Sequence, residues 1–296
     1  MAKIAIESEL AVPTISSRVL AAGEGWAVSD IVCTAGPRDR AFEENHSAVS
    51  VSVVAGGSFQ YRSSGGRALM TPGSVLLGNA GQSFECSHEH GCGDHCIAFQ
   101  FTAEFFEEIA ADAGASRNFR IARLPYLRSL APLIARACVG INSASEISWE
   151  ELAVDLAGAS SRAADELPSS FESVPAGALA RVTRVVRRIE QSLTEPLSVS
   201  QLAREARLSP FHFLRTFERL TGLTPHQYIL RTRLRKAAVR LLTEPERILD
   251  VALDSGFGDV SNFNRAFKAE FGMSPRAYRG PISSRRWISQ GLSSAG

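Results

Sequence analysis

The chain has 296 residues, of which 45% are hydrophobic and 21% charged, with 23 Gly, 13 Pro and 5 Cys. This composition excludes a largely disordered chain, a collagen-like repeat and a disulfide scaffold, and the length predicts two domains at about 100–200 residues each. The formal net charge of +1 conceals a division: residues 1–177 carry 12 Lys/Arg against 21 Asp/Glu, and residues 178–296 carry 20 against 10. A basic segment joined to an acidic one is expected where only one half meets a polyanion. No apolar run reaches the ~18–20 residues that span a bilayer. The sequence turns acidic at Glu7, before an apolar leader core can form. The expectation is a cytoplasmic protein with reduced thiols and no membrane partner.

From Trp26 to Thr102 the pattern favours short strands broken by turn residues. Ala48 to Val54 alternates small or polar with β-branched residues, as a half-buried strand does, and Gly56-Gly57 is expected to break it. Ser58 to Arg62 alternates again, Ser63-Ser64-Gly65-Gly66 reads as a hairpin loop, and Pro72-Gly73 opens the apolar strand Ser74 to Gly78. Many short strands at close spacing predict a barrel or a double-sheet jelly roll. Helices follow. One is expected over Ala103–Ala113, capped by Thr102 and ended by Gly114, and a second over Leu127–Val139, ended by Gly140. A third runs from a Ser148–Glu151 capping box to about Leu167. Its stripe of Trp149, Leu152, Ala153 and Leu156 reads as core or dimer interface. The Pro- and Ser-rich stretch 167–177 marks a boundary. The expected division is a domain over 1–170, a linker over 171–177, a second domain over 178–280 and a tail over 281–296. The tail's Arg285 and Arg286 suit a nonspecific phosphate contact.

The second half repeats itself. At an offset of 50, Phe213, Arg215, Phe217, Gly222, Pro225 and Tyr228 recur as Phe263, Arg265, Phe267, Gly272, Pro275 and Tyr278. Two copies are too few for a solenoid and predict two similar modules side by side. Each reads as helix, tight turn, helix. In the first, Ser198 and Gln201 fit a capping box with Leu197 and Leu202 as a staple, and the turn falls at Arg207-Leu208-Ser209. Ser209 and Pro210 then open a second helix. In the second, Ile248, Val251 and Ala252 line the first helix and Gly256 makes the turn. A longer helix from Thr224-Pro225 to about Leu242 joins the copies. With the phenylalanines facing inward, the outward face of helix 210–221 holds Phe211, His212, Leu214, Arg215 and Arg219. That of helix 260–271 holds Ser261, Asn262, Asn264, Arg265 and Lys268. Arg pairs bidentately with guanine, Asn with adenine, and Ser and Lys suit phosphate. Two such helices would enter successive major grooves of double-stranded DNA, about 34 Å apart.

The segment from Ala178 to Arg279 resembles the AraC/XylS family of bacterial transcription regulators. The resemblance is carried by Leu202-Ala203, by Ser209 to Phe217, by Ile248 with Val251-Ala252, and by Gly256 to Lys268 followed by Phe271 to Arg279. Val260 stands where the family commonly has a polar residue. The resemblance implies two helix-turn-helix modules, promoter binding, activation through RNA polymerase, and an N-terminal cupin-like barrel that senses a small-molecule effector or dimerises. The expected fold is therefore α+β: a cupin-like β-barrel with helices, then an all-α domain with two helix-turn-helix modules. The expected protein is a homodimeric, non-enzymatic activator that requires no cofactor.

One stretch stands apart. Cys86-Ser87-His88-Glu89-His90-Gly91-Cys92-Gly93-Asp94-His95-Cys96 concentrates imidazoles and thiols. Cys86, His88 and His90 alternate and would share one face of a strand. Three readings stand: a turn between two barrel strands, a zinc or other soft-metal site drawn from Cys86, His88, His90, Cys92, His95 and Cys96, or a thiol sensor. The competing function is a cupin-type metal-dependent enzyme with a DNA-binding tail. Its facial set would be forced from His46, His88, His90 and Glu89.

Overall fold

A computed structural model describes residues 15–64, 66–88, 93–142, 147–168 and 176–280. The tail over 281–296, most of the linker, His90 and Cys92 lie outside the described residues. The first half is built from β1 (Ile15–Gly23), β2 (Trp26–Cys33), β3 (Phe42–Asn45), β4 (Val49–Gly57), β5 (Phe59–Ser63), β6 (Gly66–Met70), β7 (Val75–Gly78), β8 (Ser83–Ser87), β9 (Asp94–Phe101) and β10 (Arg123–Leu124). Three helices accompany them: α1 (Ala103–Asp112), α2 (Ala131–Asn142), which follows a 3-10 turn at Arg128–Leu130, and α3 (Trp149–Glu166).

The strands form two antiparallel sheets, β1-β2-β9-β4-β7-β10 and β3-β8-β5-β6. Strand periodicity explains the layering. Val49, Val51 and Val53 of β4, with Ile97, Phe99 and Phe101 of β9, pack against α1–α3. Val54, Leu76 and Cys96 on the other face pack against Phe59, Tyr61 and Cys86 of the smaller sheet. The order is thus helices, larger sheet, smaller sheet. No ladder joins the sheets among the described residues, so the closed, cupin-like barrel expected from the resemblance is not found, and the double-sheet reading of the pattern is the one that matches. Gly57, at φ 72°, is where the chain leaves one sheet for the other. It bends β4 instead of ending it at Gly56. β1 precedes the region where strands were expected. It lies at the edge of the larger sheet and is mostly exposed, so its side chains carry no alternating apolar signal.

Two helix-end expectations change. Gly140 lies inside α2, where a Cβ would meet the Trp149 ring at 2.4 Å; it is a close-packing position and not a terminator. Ser148 is the N-cap of α3 but makes no side-chain cap bond. The Trp149, Leu152, Ala153 and Leu156 stripe packs into the core, so it is not an outward dimer face.

The second half comprises α4 (Ala176–Gln191), α5 (Val199–Glu205), α6 (Pro210–Thr221), α7 (Pro225–Thr243), α8 (Ile248–Asp254) and α9 (Val260–Phe271). α7 also grips the first half. Arg235 is buried and donates to the carbonyl of Pro72 at 2.7 Å and to both oxygens of Glu190 at 3.2 Å. Arg231 donates to the carbonyl of Tyr126 at 2.6 Å. Gly73, at φ 88°, permits this approach, because a Cβ there would meet the Tyr126 ring at 2.2 Å and Arg235 at 2.7 Å. On the inward side of α9, buried Glu270 accepts from Arg128 at 3.3 Å, and Arg231 lies 3.4 Å from its other oxygen.

Candidate nucleic-acid interface

Each of the two outer helices is fixed at both ends by its own sequence. Ser209 caps α6 by accepting from the His212 amide, with Pro210 in the first turn, and Asp259 caps α9 by accepting from the Asn262 amide at 2.7 Å. Gly222 and Gly272 close them in the left-handed conformation, at φ 77° and 76°, where a side chain would be strained. The preceding helix of the first module begins with the Ser198–Gln201 capping box.

The burial pattern of residues 211–221 recurs position for position at 261–271. Phe213, Phe217 and Leu220, and Phe263, Phe267 and Phe271, point inward. Phe217 and Phe267 meet Tyr228 and Tyr278 edge-on at 5.6 and 5.2 Å. Among the repeated identities the phenylalanines, prolines and tyrosines pack inward, Gly222 and Gly272 are exposed helix ends, and Arg215 and Arg265 are exposed side chains in both copies. The turns differ in length. Arg207 (φ 52°) and Gly256 (φ 85°) occupy corresponding bends, four residues separate α5 from α6, and five separate α8 from α9.

All ten residues expected to face DNA lie outward: Phe211, His212, Leu214, Arg215 and Arg219 on α6, and Ser261, Asn262, Asn264, Arg265 and Lys268 on α9. Phe211 is 65% exposed, which is unusual for a large apolar side chain, and the Arg215 guanidinium lies 5.8 Å from its ring centre. The pairing holds a cation on the exposed face. Arg265 donates to the Asn262 side chain at 3.2 Å, an exposed contact that a base edge can replace at little cost. The α6 face offers the guanidinium forks of Arg215 and Arg219 beside the His212 imidazole, and the α9 face offers the Arg265 fork beside the Asn262 and Asn264 amides.

The Cys/His stretch is only partly assembled. His88, just beyond β8, is buried with its Nε2 at 2.5 Å from Asp94 Oδ1. Cys86 and Cys96 are buried nearby between the sheets. His95 is turned to the other face of β9, where it bonds Asp30 at 2.5 Å, and Arg18 holds the same carboxylate at 2.9 Å. His95 therefore leaves the expected metal set, since successive strand residues point to opposite faces. Sequence reasoning missed Cys33, which pairs across from Asp94 in the β2–β9 ladder. His46 has other partners than His88. It stacks on Phe84 at 4.3 Å and bonds the Tyr61 hydroxyl at 2.8 Å, and burial pushes its imidazole pKa down to about 4. The facial set imagined for a cupin enzyme is thus not assembled around His46, and Glu89 and His90 lie outside the described residues. No helix among the described residues is long and apolar enough to cross a membrane.

Comparison with known proteins is consistent with this geometry. A family model described as a helix-turn-helix domain matches residues 202–280. The probable transcriptional regulator LumQ of Photobacterium leiognathi is 38% identical over 91 residues, 31% of this chain and 37% of that protein. The chain therefore spans little more than a third of LumQ's length. The HTH-type transcriptional activator AarP of Providencia stuartii is 33% identical over 98 residues, 33% of this chain and 73% of AarP. The crystal structure of the DNA-binding domain of AdpA, in complex with a target DNA, is 32% identical. It covers 36% of this chain and 96% of that one at a TM-score of 0.34. With its paired modules and its match to most of AarP, the chain belongs to the AraC/XylS family of DNA-binding transcription regulators.

Proposed function

We propose that the chain is an effector-responsive, homodimeric transcription activator. In this reading α6 and α9 enter successive major grooves, and the half over 1–170 receives a small-molecule effector and modulates the half over 178–280. The observation that carries the reading is the repeated face. Two helices with one burial pattern present Arg215 and Arg265 outward at the same step, within a segment of 20 Lys/Arg against 10 Asp/Glu. Arg265, Asn262 and Asn264 are assigned to base edges, Ser261 and Lys268 to phosphates, and Phe211 and Leu214 to thymine methyl groups. His212, Arg215 and Arg219 take the corresponding edge and phosphate roles on α6. AarP's designation as an activator supports activation, through contact with RNA polymerase. No catalytic role is assigned to any residue, and DNA recognition as proposed needs no cofactor.

The test is capture and sequencing of genomic fragments on the purified chain at about 150 mM salt, where nonspecific binding is weak. A few promoter-proximal sites with half-sites one helical turn apart are expected. Uniform recovery across the genome would overturn the sequence-specific reading, and a monomeric sedimentation mass at micromolar concentration would overturn the dimer.

A further inference from the structure

Three cysteines, a histidine and an aspartate converge between the two sheets, at the end where the chain passes from β8 to β9. Cys86 and His88 lie two residues apart at the end of the smaller sheet. Asp94 and Cys96 lie two apart at the start of β9, and Cys33 closes β2 opposite Asp94. Period-two spacing turns each pair to one face, and both faces meet. Cys33 Sγ, a ring nitrogen of His88 and a carboxylate oxygen of Asp94 fall within 4.8 Å of one another. The Cys96 thiol donates to the other Asp94 oxygen at 3.2 Å. The approach depends on Gly93, at φ 73°, where a Cβ would meet the Cys33 carbonyl oxygen at 2.1 Å.

We propose that Cys33, His88 and Asp94 form a zinc site that fastens the larger sheet to the smaller one, with Cys96, which lies outside that group of three but bonds Asp94 at 3.2 Å, moving in as the fourth donor. Thiolate, imidazole and carboxylate are zinc's protein ligands, and four at tetrahedral spacing make a structural site. The neighbourhood argues against the other readings. Cys33, Cys86 and Cys96 are all buried, away from the accessible positions that redox-sensing thiols occupy. A simple strand turn requires no buried carboxylate, yet the Asp94 side chain is only 8% exposed and is held by an imidazole and a thiol.

The experiment titrates the full chain, reduced and freed of metal by a chelator, with cobalt(II) and then zinc(II). One equivalent of cobalt is expected to give a thiolate charge-transfer band and the visible absorption of tetrahedral cobalt, both erased by zinc. C33S and D94N are expected to abolish stoichiometric binding, and C96S to weaken it about tenfold or more. C138S, which changes a buried thiol outside this group, is expected to bind normally. Zinc should also raise the melting temperature of the unmodified chain, because a ligand that binds only the folded state stabilises it; that measurement does not depend on the variants folding. An unmodified chain that binds no cobalt, or a C33S variant that binds it undiminished, would overturn the proposal and leave an ordinary hydrogen-bonded cluster.

Discussion

Arg235 offers a severe test of how the two halves are held together. Its guanidinium is buried, satisfies the Pro72 carbonyl at 2.7 Å and neutralises Glu190 at 3.2 Å. Arg235→Ala removes all three contacts at once and leaves a carboxylate beside a cavity. Breaking a buried ion pair by deleting one partner costs about 3–5 kcal/mol. Lys236 offsets part of that cost, with its ammonium 4.0 Å from Glu190 Oε2 and hydrogen-bonded to the Glu190 backbone oxygen. The lower end, about 3 kcal/mol, is therefore expected. For a protein of this size about 1 kcal/mol corresponds to roughly 2–4 °C, so melting should fall by roughly 6–12 °C. A double variant, Arg235→Met with Glu190→Gln, removes the stranded charge and keeps most of the volume; it should recover at least about half of the loss. Urea unfolding, followed both by far-ultraviolet dichroism and by tryptophan fluorescence, reads both quantities. Trp26 and Trp149 belong to the first half and Trp287 to the chain beyond α9, so with Trp287→Phe in both backgrounds divergence of the two probes in Arg235→Ala would report uncoupling of the halves. A loss below about 1 kcal/mol, or a double variant as unstable as the single one, would refute the reasoning.

Three further outcomes are expected. His46 is held neutral, its pKa lowered to about 4 from an ordinary 6.5. The unfolded chain therefore binds more protons between these values, and stability is lost as the pH falls from about 6.5 to 4. Partial exposure of the ring reduces the linkage to about 2 kcal/mol, measured as the difference in acid sensitivity between the unmodified chain and His46→Gln; equal slopes would contradict it. Gly140→Ala should cost about 1–3 kcal/mol by forcing a methyl against the Trp149 ring, with a shift in tryptophan emission; an unchanged melt and spectrum would count against the packing described. On a captured site, Arg265→Ala should weaken binding roughly 5- to 150-fold and relax specificity at one base, while Lys268→Ala should lower the salt slope by about one without altering sequence preference. Both side chains are exposed, so melting should hardly move; identical salt slopes in the two variants would undo the division of roles.

Helices α6 and α9 were legible because two independent signals coincide on them. The phenylalanine stripe fixes which face is buried, and its recurrence at an offset of 50 fixes the outward face twice over. Caps at Ser209, Thr224 and Gly222 are local chemistry and are found where local residues predict them. What escaped the sequence depends on distant pairing. Cys33 meets Asp94 only because β2 and β9 adjoin, 61 positions apart in the chain. Gly140 looks like a terminator until Trp149 is brought against it. The open edges of the two sheets follow from ladder partners that no periodicity specifies.

The contact between Arg128 and Glu270 has a consequence beyond stability. Glu270 sits on the inward face of the same helix that turns Arg265 and Lys268 outward, and its partner belongs to the first half. If α9 enters a groove as proposed, a helix gripped from behind cannot do so independently of what grips it. To the extent that a molecule binding the first half alters affinity for DNA through this contact, thermodynamic reciprocity requires DNA to alter the affinity for that molecule by the same factor. Under the proposed function, an operator fragment thus becomes a reagent for finding an effector: candidates whose binding changes when the fragment is added are the expected ones.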